Sequence, residues 1–357
     1  MDALTVTPGH RDSLRLDTLR DRTPGPGELL VEGIAVGVCG TDLEIVDGTH
    51  GHPPEGRDRL VIGHESLGRV LRAPPGSGFR PGDLVTGVVR RPDPVPCGAC
   101  AHGHFDMCRN GRYTERGIKE LDGFASTLWT VEADYAVRLD AVPAGVGVLL
   151  EPASVATKAW DQITCVQARS WAEPRSVLVT GAGPIGLLAA LIGVQRGLDV
   201  HVLDRVTNGP KPSLVRTLGA EYHSSGVDRA MDMTRPDIVI EATGAAAVAF
   251  GAMAAIGPYG VLCPTGLSPV GRTLEVDAGH LNRTMVMDNA AVIGSVNANR
   301  DHYAQAATVL AAADHEWLDG LITRRLPLSR FRDAFEREPG DVKTVLELGH
   351  GGGSADG

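Results

Sequence analysis

The feature that most constrains the fold of this chain is a glycine-rich turn between a buried strand and a helix. The turn, Gly181-Ala182-Gly183-Pro184-Ile185-Gly186, follows the apolar run 176–180 and opens the helical segment 185–196. Further apolar strands follow downstream at 200–204, 237–241, 260–263 and 291–294. Helical stretches, such as the one near 214–218, separate them. Strands that alternate with helices predict a parallel sheet covered on both faces. The predicted fold class is therefore α/β, with a doubly wound parallel sheet of the Rossmann type.

The glycine spacing in this turn suits the pyrophosphate of a dinucleotide. Gly181 permits the tight turn, Gly183 lets the backbone approach the ligand, and Gly186 allows close packing of the helix. The helix N-terminus then faces the negative charge of the pyrophosphate. Pro184 and Ile185 lie within the same turn, so we include both in the predicted cofactor site.

The end of the next strand bears on the choice between NAD and NADP. Asp204 lies 18 residues after Gly186, where a carboxylate accepts hydrogen bonds from the adenosine ribose. A carboxylate also repels a 2′-phosphate, which favours NAD. Arg205 could instead pair with that phosphate, so use of both cofactors stays open.

Composition excludes several classes of partner. The chain has 357 residues with 34 basic and 44 acidic side chains, a net charge of −10. Such an acidic surface argues against nucleic acid or an anionic membrane as the main partner. The start of the chain has no apolar core of signal-peptide length and no segment long enough to span a bilayer, so we expect a cytoplasmic protein. Residues 351–357 have the composition of a disordered tail.

The first 150 or so residues contain three candidate zinc ligands. Short apolar stretches separated by Gly and Pro predict a small β-rich domain here. Cys39 and His64 lie in glycine-flanked turns, and Glu151 precedes Pro152 where a helix should begin. Thiolate, imidazole and carboxylate together hold zinc while leaving a fourth position open. Each residue alone has an ordinary structural explanation, but the three together predict a catalytic zinc.

These motifs resemble, in their order, those of the zinc-dependent medium-chain dehydrogenases. The shared motifs are C-G-T-D (39–42), G-H-E-x-x-G (63–68), G-D-x-V (82–85), E-P (151–152) and the glycine turn. Within that family the chain is similar to microbial and archaeal glucose 1-dehydrogenases, through N-G-R-Y-T-E-R-G-I (110–118), D-G-F (122–124), E-A-T-G (241–244) and G-S-V-N (294–297). The resemblance extends from Leu29 to Leu348.

The resemblance implies a domain plan and an activity. Residues 1–157 and 298–357 would form a GroES-like catalytic domain, and residues 158–297 the dinucleotide-binding domain. Zinc would polarise a sugar hydroxyl while hydride passes to the nicotinamide, so that an aldose such as glucose becomes its lactone. Related enzymes pair through the sixth strand of the sheet, which implies a homodimer or homotetramer.

The resemblance also assigns roles to single residues. Cys39, His64 and Glu151 correspond to the catalytic zinc ligands, with Glu151 able to bind through water. Glu65 corresponds to a nearby carboxylate, which we count with the catalytic and substrate-binding residues, and Thr41 corresponds to the hydroxyl that contacts the substrate oxygen. Glu115 and Asn297 correspond to residues that contact the sugar or the nicotinamide. Thr243 corresponds to a cofactor contact.

A second metal site is predicted in the cysteine-rich segment. Cys97, Cys100 and Cys108 match the last three cysteines of the family's structural-zinc pattern C-x2-C-x2-C-x7-C, and Pro94 occupies the position of the first. Structural zinc requires four ligands and accepts oxygen and nitrogen donors. The fourth ligand could therefore come from Asp93, His102 or His104.

Two other functions remain compatible with the sequence. A polyol or other secondary-alcohol dehydrogenase would share Cys39, His64 and Glu151-Pro152. A nucleotide-binding protein that had lost its chemistry would keep the fold, although retention of the zinc ligands with Thr41 and Glu65 speaks against it.

Overall fold

The computed structural model describes residues 1–171, 173–271, 273–338 and 340–349, so the tail predicted at 351–357 lies outside them. The described chain divides into two compact units, the first made of Met1–Glu151 and the residues from Ala298 onward, the second of Pro152–Asn297. The expected boundary after residue 157 is displaced to Glu151. The reason is that the helix beyond Pro152 packs within the second unit, where Trp160 Nε1 donates to the carbonyl of Ala189 at 3.0 Å.

The elements of the described chain are as follows. The strands are β1 (Asp2–Val6), β2 (Arg15–Thr18), β3 (Glu28–Val38), β4 (Leu60–Val61), β5 (Glu65–Arg72), β6 (Leu84–Gly87), β7 (Arg90–Arg91), β8 (Thr114–Arg116), β9 (Glu120–Leu121), β10 (Leu128–Glu132), β11 (Ala136–Arg138), β12 (Ser176–Thr180), β13 (Asp199–Leu203), β14 (Glu221–His223), β15 (Ile238–Glu241), β16 (Val261–Pro264), β17 (Ala291–Val292), β18 (Ile322–Pro327) and β19 (Lys343–Glu347). The α-helices are α1 (Gly40–Val46), α2 (Gly98–Ala101), α3 (Leu150–Gln167), α4 (Pro184–Gln195), α5 (Pro210–Thr217), α6 (Val227–Thr234), α7 (Ala246–Ala255), α8 (Ala278–Met287), α9 (Arg300–Ala311) and α10 (His315–Leu321). Short 3-10 helices cover Phe105–Met107, Ala133–Tyr135, Ala144–Leu149 and Leu328–Phe335. None of the helices in the described ranges combines the length and apolarity that a membrane crossing needs.

The first unit is built around the long strand β3. Its sheet has the order β11-β6-β5-β3-β19-β18, and β10 also pairs with β3. Buried apolar side chains between the sheet and the loops form the core, for example Val31, Val70 and Trp129. Pairing of Gly37 with Glu65 and of Val38 with Thr344 brings one end of β3, β5 and β19 together. The candidate site lies at this end of the sheet.

The second unit is a six-stranded parallel sheet with the order β14-β13-β12-β15-β16-β17. The crossover helices that connect its strands bury apolar faces, and α4 is buried over most of its length. Both the parallel pairing and the strand order confirm the predicted doubly wound fold. Short β14 was not predicted, because three residues carry too little pattern to show as a strand.

The three glycines of the turn differ in what surrounds them. Gly181 has φ 96°, in the left-handed region, which a side chain disfavours. A Cβ on Gly186 would lie 1.8 Å from the carbonyl oxygen of Gly181, so only glycine lets α4 begin this close to the turn. A Cβ on Gly183 would meet nothing within 4 Å. The packing of the chain itself therefore does not require glycine at 183. Open space of this kind is expected where a ligand approaches the backbone.

Candidate functional site

Two of the predicted zinc ligands converge in the first unit. Cys39 follows β3 and is the N-cap residue of α1, and His64 follows Gly63, whose φ is 86°. Cys39 Sγ and His64 Nε2 lie 3.0 Å apart, and His64 is buried. The backbone N–H of Thr41 donates to Cys39 Sγ at 3.2 Å, which suits a thiolate.

Asp42 orients both ligands, a role that sequence reasoning missed although the residue lies in the C-G-T-D motif. Its Oδ2 accepts from the N–H of Cys39 at 3.0 Å, and its Oδ1 lies 3.4 Å from His64 Nδ1. A carboxylate behind a metal-binding imidazole fixes the ring and leaves the other nitrogen for the metal. Burial alone would lower the pKa of His64, but the charges of Asp42 and Cys39 outweigh it and raise the pKa well above its usual value.

Glu65 lies beside these ligands and is held by a lysine from the far end of the chain. Its Oε1 and Oε2 each lie 2.6 Å from Lys343 Nζ, which also donates to the carbonyl of Val38 at 3.1 Å. Both side chains are 2% exposed. Burial lowers the pKa of Lys343, but Glu65 and Cys39 more than offset this, so its pKa is raised and the lysine is charged. Local sequence carries no signal for Lys343, because strand pairing alone brings it here.

Glu65 also has room for its carboxylate only because Gly37 has no side chain. A Cβ on Gly37 would lie 2.0 Å from Glu65 Oε2. Cys39, His64 and Glu65 offer donor atoms within 4.8 Å of one another. The tight group therefore includes Glu65, which we predicted as a nearby carboxylate.

Glu151, the third predicted ligand, stands on the first turn of α3. Burial raises its pKa to about 7, with His64 and Lys343 opposing the shift and Glu65 reinforcing it. Glu151 therefore interacts electrostatically with His64, Glu65 and Lys343. It does not belong to the group of three donors that lie within 4.8 Å of one another. With a pKa of about 7, Glu151 lies between its two protonation states at neutral pH.

The donor set fits zinc. Cys39 Sγ and His64 Nε2 lie 3.0 Å apart, about half an ångström less than the separation of about 3.6 Å expected for a sulfur and a nitrogen ligand on one tetrahedral zinc. The buried His64 Nδ1 and Asp42 Oδ1 have no conventional hydrogen-bond partner but face one another, as expected for an imidazole held for metal binding.

Glu115 lies in a buried ion pair on β8. Arg90 donates to its Oε1 through Nε at 3.1 Å and Nη2 at 2.9 Å. Arg90 also stacks on Tyr113, 3.7 Å from the ring centroid. The predicted sugar contact is therefore a carboxylate whose orientation Arg90 fixes.

The three cysteines of the predicted structural site lie together. Their sulfurs are within 4.8 Å of one another, and the N–H of Arg109 donates to Cys97 at 3.4 Å. That backbone donor, with others nearby, lowers the pKa of Cys97 to about 6, whereas burial raises the pKa of Cys100.

Each candidate for the fourth ligand has another partner. The Asp93 carboxylate accepts from the N–H of Val95 and from the side chains of Asn110 and Arg112. His102 Nδ1 lies 2.7 Å from the carbonyl of Gly98, and His104 Nδ1 lies 3.4 Å from the Asn299 amide. In the described residues the cluster consists of the three thiols alone.

In the second unit, Asp204 meets the glycine turn. Its Oδ2 accepts from the N–H of Ala182 at 2.7 Å and its Oδ1 from the N–H of Val206 at 3.1 Å. Lys211, not identified from the sequence, lies 3.4 Å from Oδ2. Burial would raise the pKa of Asp204, but these donors lower it, so the residue is a carboxylate. Arg205 is exposed beside it.

Two further predicted cofactor contacts lie in turns of the second unit. Thr243 donates through its N–H and hydroxyl to Glu241, and its hydroxyl accepts from the N–H of Ala245 at 2.9 Å. Asn297 has φ 63°, in the left-handed region. Thr243 thus shapes the turn after β15, and Asn297 ends the second unit in a constrained conformation.

Two family profiles match the chain. Residues 144–348 match a family described as "Glucose dehydrogenase C-terminus", and residues 25–141 match one described as "Alcohol dehydrogenase GroES-like domain". The first covers more than half of the chain. The second confirms the GroES-like character predicted for the β-rich domain.

Named relatives and solved structures match over nearly the full length. The chain is 38% identical to glucose 1-dehydrogenase of Methanocella arvoryzae, covering 98% of this chain and 100% of that one. It is 39% identical to glucose 1-dehydrogenase of Halobacterium salinarum, covering 98% and 99%. The structure of Haloferax mediterranei glucose dehydrogenase in complex with NADP, Zn and gluconolactone superposes with a TM-score of 0.89 at 33% identity, covering 98% and 100%.

Proposed function

Because the chain belongs to the glucose dehydrogenase family of zinc-dependent medium-chain dehydrogenases, we propose that it oxidises D-glucose at C1 to the lactone with a nicotinamide cofactor. The observation that carries this proposal is the convergence of Cys39 and His64, backed by Asp42, at the end of β3. Relatives that are 38–39% identical to the chain are named glucose 1-dehydrogenase, after the same activity.

Each residue of the site in the first unit would have its own role in the reaction. Cys39 and His64 would hold zinc together with Glu151 or Glu65. When bound, zinc lowers the pKa of the sugar hydroxyl through its positive charge. Asp42 keeps the His64 ring oriented, and Lys343 balances the charge of Glu65 so that two carboxylates can lie near one another. Thr41, beside Cys39 in the turn, is our candidate for the hydroxyl that takes up the substrate proton.

The polar groups of the predicted sugar site support a substrate with many hydroxyls. A site built to hydrogen-bond hydroxyls rejects analogues that lack them, because its buried donors and acceptors are left unpaired. Arg90 holds Glu115 in one orientation, which suits a fixed acceptor. Asn297, at the end of the second unit, is the second candidate contact.

A panel of aldoses, polyols and simple alcohols, each with NAD and NADP and followed by nicotinamide absorbance, tests this function. Glucose should give the highest kcat/KM. Faster turnover of secondary alcohols or open-chain polyols than of every aldose would establish the alternative polyol activity instead. No turnover by zinc-loaded enzyme would favour an inactive nucleotide-binding protein.

We propose that the enzyme uses NAD at least as well as NADP. The pKa of Asp204 is lowered, so the residue is a carboxylate, and it is our candidate for the ribose contact. Like charges a few ångströms apart near a surface repel by about 1–4 kcal/mol. Arg205 and Lys211 would offset this repulsion, so dual use is expected. Asp204→Ser should shift the preference toward NADP, and Arg205→Ala should shift it toward NAD. A hundredfold preference of the unaltered enzyme for NADP would overturn the proposal.

We further propose that the cysteine lobe holds a structural zinc, since three sulfurs within 4.8 Å form three corners of a tetrahedral site. Metal analysis should find about two zinc ions per chain. Cys100→Ser should lower the melting temperature far more than kcat. A large loss of kcat with unchanged stability would contradict a structural role.

We propose a homodimer or homotetramer formed through the edge of the second unit's sheet. β17 is the edge strand, and exposed apolar side chains lie on or near it, including Val286, Met287 and Val292. Apolar edges of this kind mark interaction sites. Light scattering should give the mass of two or four chains, and Val292→Lys should reduce it.

The six cysteines are free thiols, which supports our proposal of a cytoplasmic location, because reducing compartments keep thiols from pairing. Fractionation of cells that produce the protein would test it.

A further inference from the structure

A third group of metal-binding side chains lies in the second unit. His201 on β13 and Glu221 and His223 on β14 offer one donor atom each, all within 4.8 Å of one another. The two strands are parallel, with His201 opposite Glu221 and Leu203 opposite His223. All three side chains therefore stand on the same face of the sheet, because alternate residues of a strand share a face.

The distances in this cluster match those between ligands of one ion. His201 Nδ1 lies 3.0 Å from His223 Nε2 and 3.5 Å from Glu221 Oε2. Two ligands with bonds of about 2.0–2.1 Å to a tetrahedral ion are separated by about 3.4 Å. The atoms are thus already close to the spacing that a bound ion would impose.

The hydrogen bonding of His201 shows which of its nitrogens faces the cluster. Its Nε2 lies 3.3 Å from the carboxylate of Asp199, an acceptor, so Nε2 carries the hydrogen. Nδ1 is then the nitrogen that faces His223 Nε2 and the carboxylate of Glu221, where it can accept from the His223 N–H or bind a metal ion.

The remaining features favour a metal ion. A carboxylate behind a ligating histidine, here Asp199, is the usual support of such a ligand. Glu221 and Asp199 are 63% and 74% exposed, so an ion can reach the buried imidazoles from solvent.

We propose that His201, His223 and Glu221 form a divalent transition-metal site for an ion of the Zn²⁺ class, separate from the catalytic and cysteine-lobe sites. Two imidazoles and one carboxylate are a donor set that zinc accepts, with a fourth position for water. The ion would join the edge strand β14 to β13. Because the N–H of Asp204 donates to the carbonyl of His223, the site would also fix the strand ends next to the predicted ribose contact.

Nickel binding tests the proposal in enzyme that carries only the two zinc ions of the catalytic and cysteine-lobe sites. Equilibrium dialysis of this zinc-loaded enzyme against Ni²⁺, with zinc and nickel measured in the same sample, should show one further metal ion, Ni²⁺, taken up per chain without loss of zinc, and Ni²⁺ should raise the melting temperature. His223→Ala should abolish this uptake. His280→Ala, which removes an exposed histidine from the same unit, should leave it unchanged.

Two milder variants keep the test decisive if His223→Ala fails to fold. Glu221→Gln removes the charge of an exposed ligand, and Asp199→Asn removes only the group behind His201. Each should weaken Ni²⁺ binding by about tenfold or more. Absence of nickel uptake by the unaltered zinc-loaded enzyme, or equal uptake by the Glu221 and Asp199 variants, would overturn the proposal.

Discussion

At the scale of single residues, the pair Lys343–Glu65 is the clearest case of charge held inside the first unit. Both side chains are buried, and the lysine contacts both carboxylate oxygens. Lys343→Met should lower the free energy of unfolding by about 3–5 kcal/mol, because it leaves the buried carboxylate without its counter-charge. Urea unfolding measures the change. Lys343→Arg keeps the charge and should recover part of the loss, whereas a methionine variant as stable as the parent would refute the argument.

Asp42 should govern how tightly the metal is held. Its carboxylate faces His64 Nδ1, so Asp42→Asn should weaken zinc binding by about 10–100-fold. Competition with a chromophoric chelator gives the affinity. Asp47→Asn, at the exposed end of the same helix, serves as the control and should bind zinc as the parent does. Equal zinc affinity in both variants would show that Asp42 has only a capping role.

At the scale of elements, the glycine turn allows a matched comparison. Gly186→Ala would put a Cβ 1.8 Å from the Gly181 carbonyl oxygen, whereas Gly183→Ala would meet nothing within 4 Å and has no positive φ. The alanine at 186 should destabilise the second unit by about 1–3 kcal/mol or more, since overpacking forces the backbone to shift.

The alanine at 183 should leave the melting temperature unchanged and raise the KM or Kd for the cofactor, because its methyl group stands where the backbone approaches the pyrophosphate. Thermal unfolding and cofactor titration of both variants provide the measurements. A Gly183→Ala enzyme with unaltered cofactor affinity would mean that the pyrophosphate does not lie over residue 183.

At the scale of the whole molecule, acid sensitivity should follow the buried carboxylates of the first unit. Burial raises the pKa of Asp122, but Arg57, the N–H of Val61 and Arg22 lower it by more. A folded-state pKa below the unfolded value of about 3.9 contributes stability above that value, and the contribution is lost as the pH falls through the folded pKa.

Asp122→Asn should therefore lower the free energy of unfolding by about 2 kcal/mol at neutral pH. The difference in unfolding free energy between the variant and the parent should become smaller below about pH 4. Urea unfolding as a function of pH measures both curves. Asp140→Asn, in an exposed ion pair, should show little difference at any pH. If the difference in unfolding free energy between Asp122→Asn and the parent stays constant down to the lowest pH measured, the stabilisation by Asp122 is not electrostatic.

Local sequence was enough to predict the nucleotide-binding sheet and the main metal-binding groups. The strand periodicity around 176–204 and the glycine spacing act over a few residues, so pattern alone indicates them. The turns that carry Cys39 and His64 are equally local, because glycine and capping chemistry fix them. These features required no knowledge of which strands pair.

Only the tertiary structure decided what surrounds those groups. Strand pairing brings Lys343 to Glu65 across 278 positions of sequence, and Glu115 meets Arg90 through the pairing of β7 with β8. The short strand β14 carries Glu221 and His223, and their role as candidate ligands appears only when the pairing with β13 places His201 opposite Glu221. Charges in a protein interior act on whatever lies within a few ångströms, and that neighbourhood is set by the register of strands far apart in the chain.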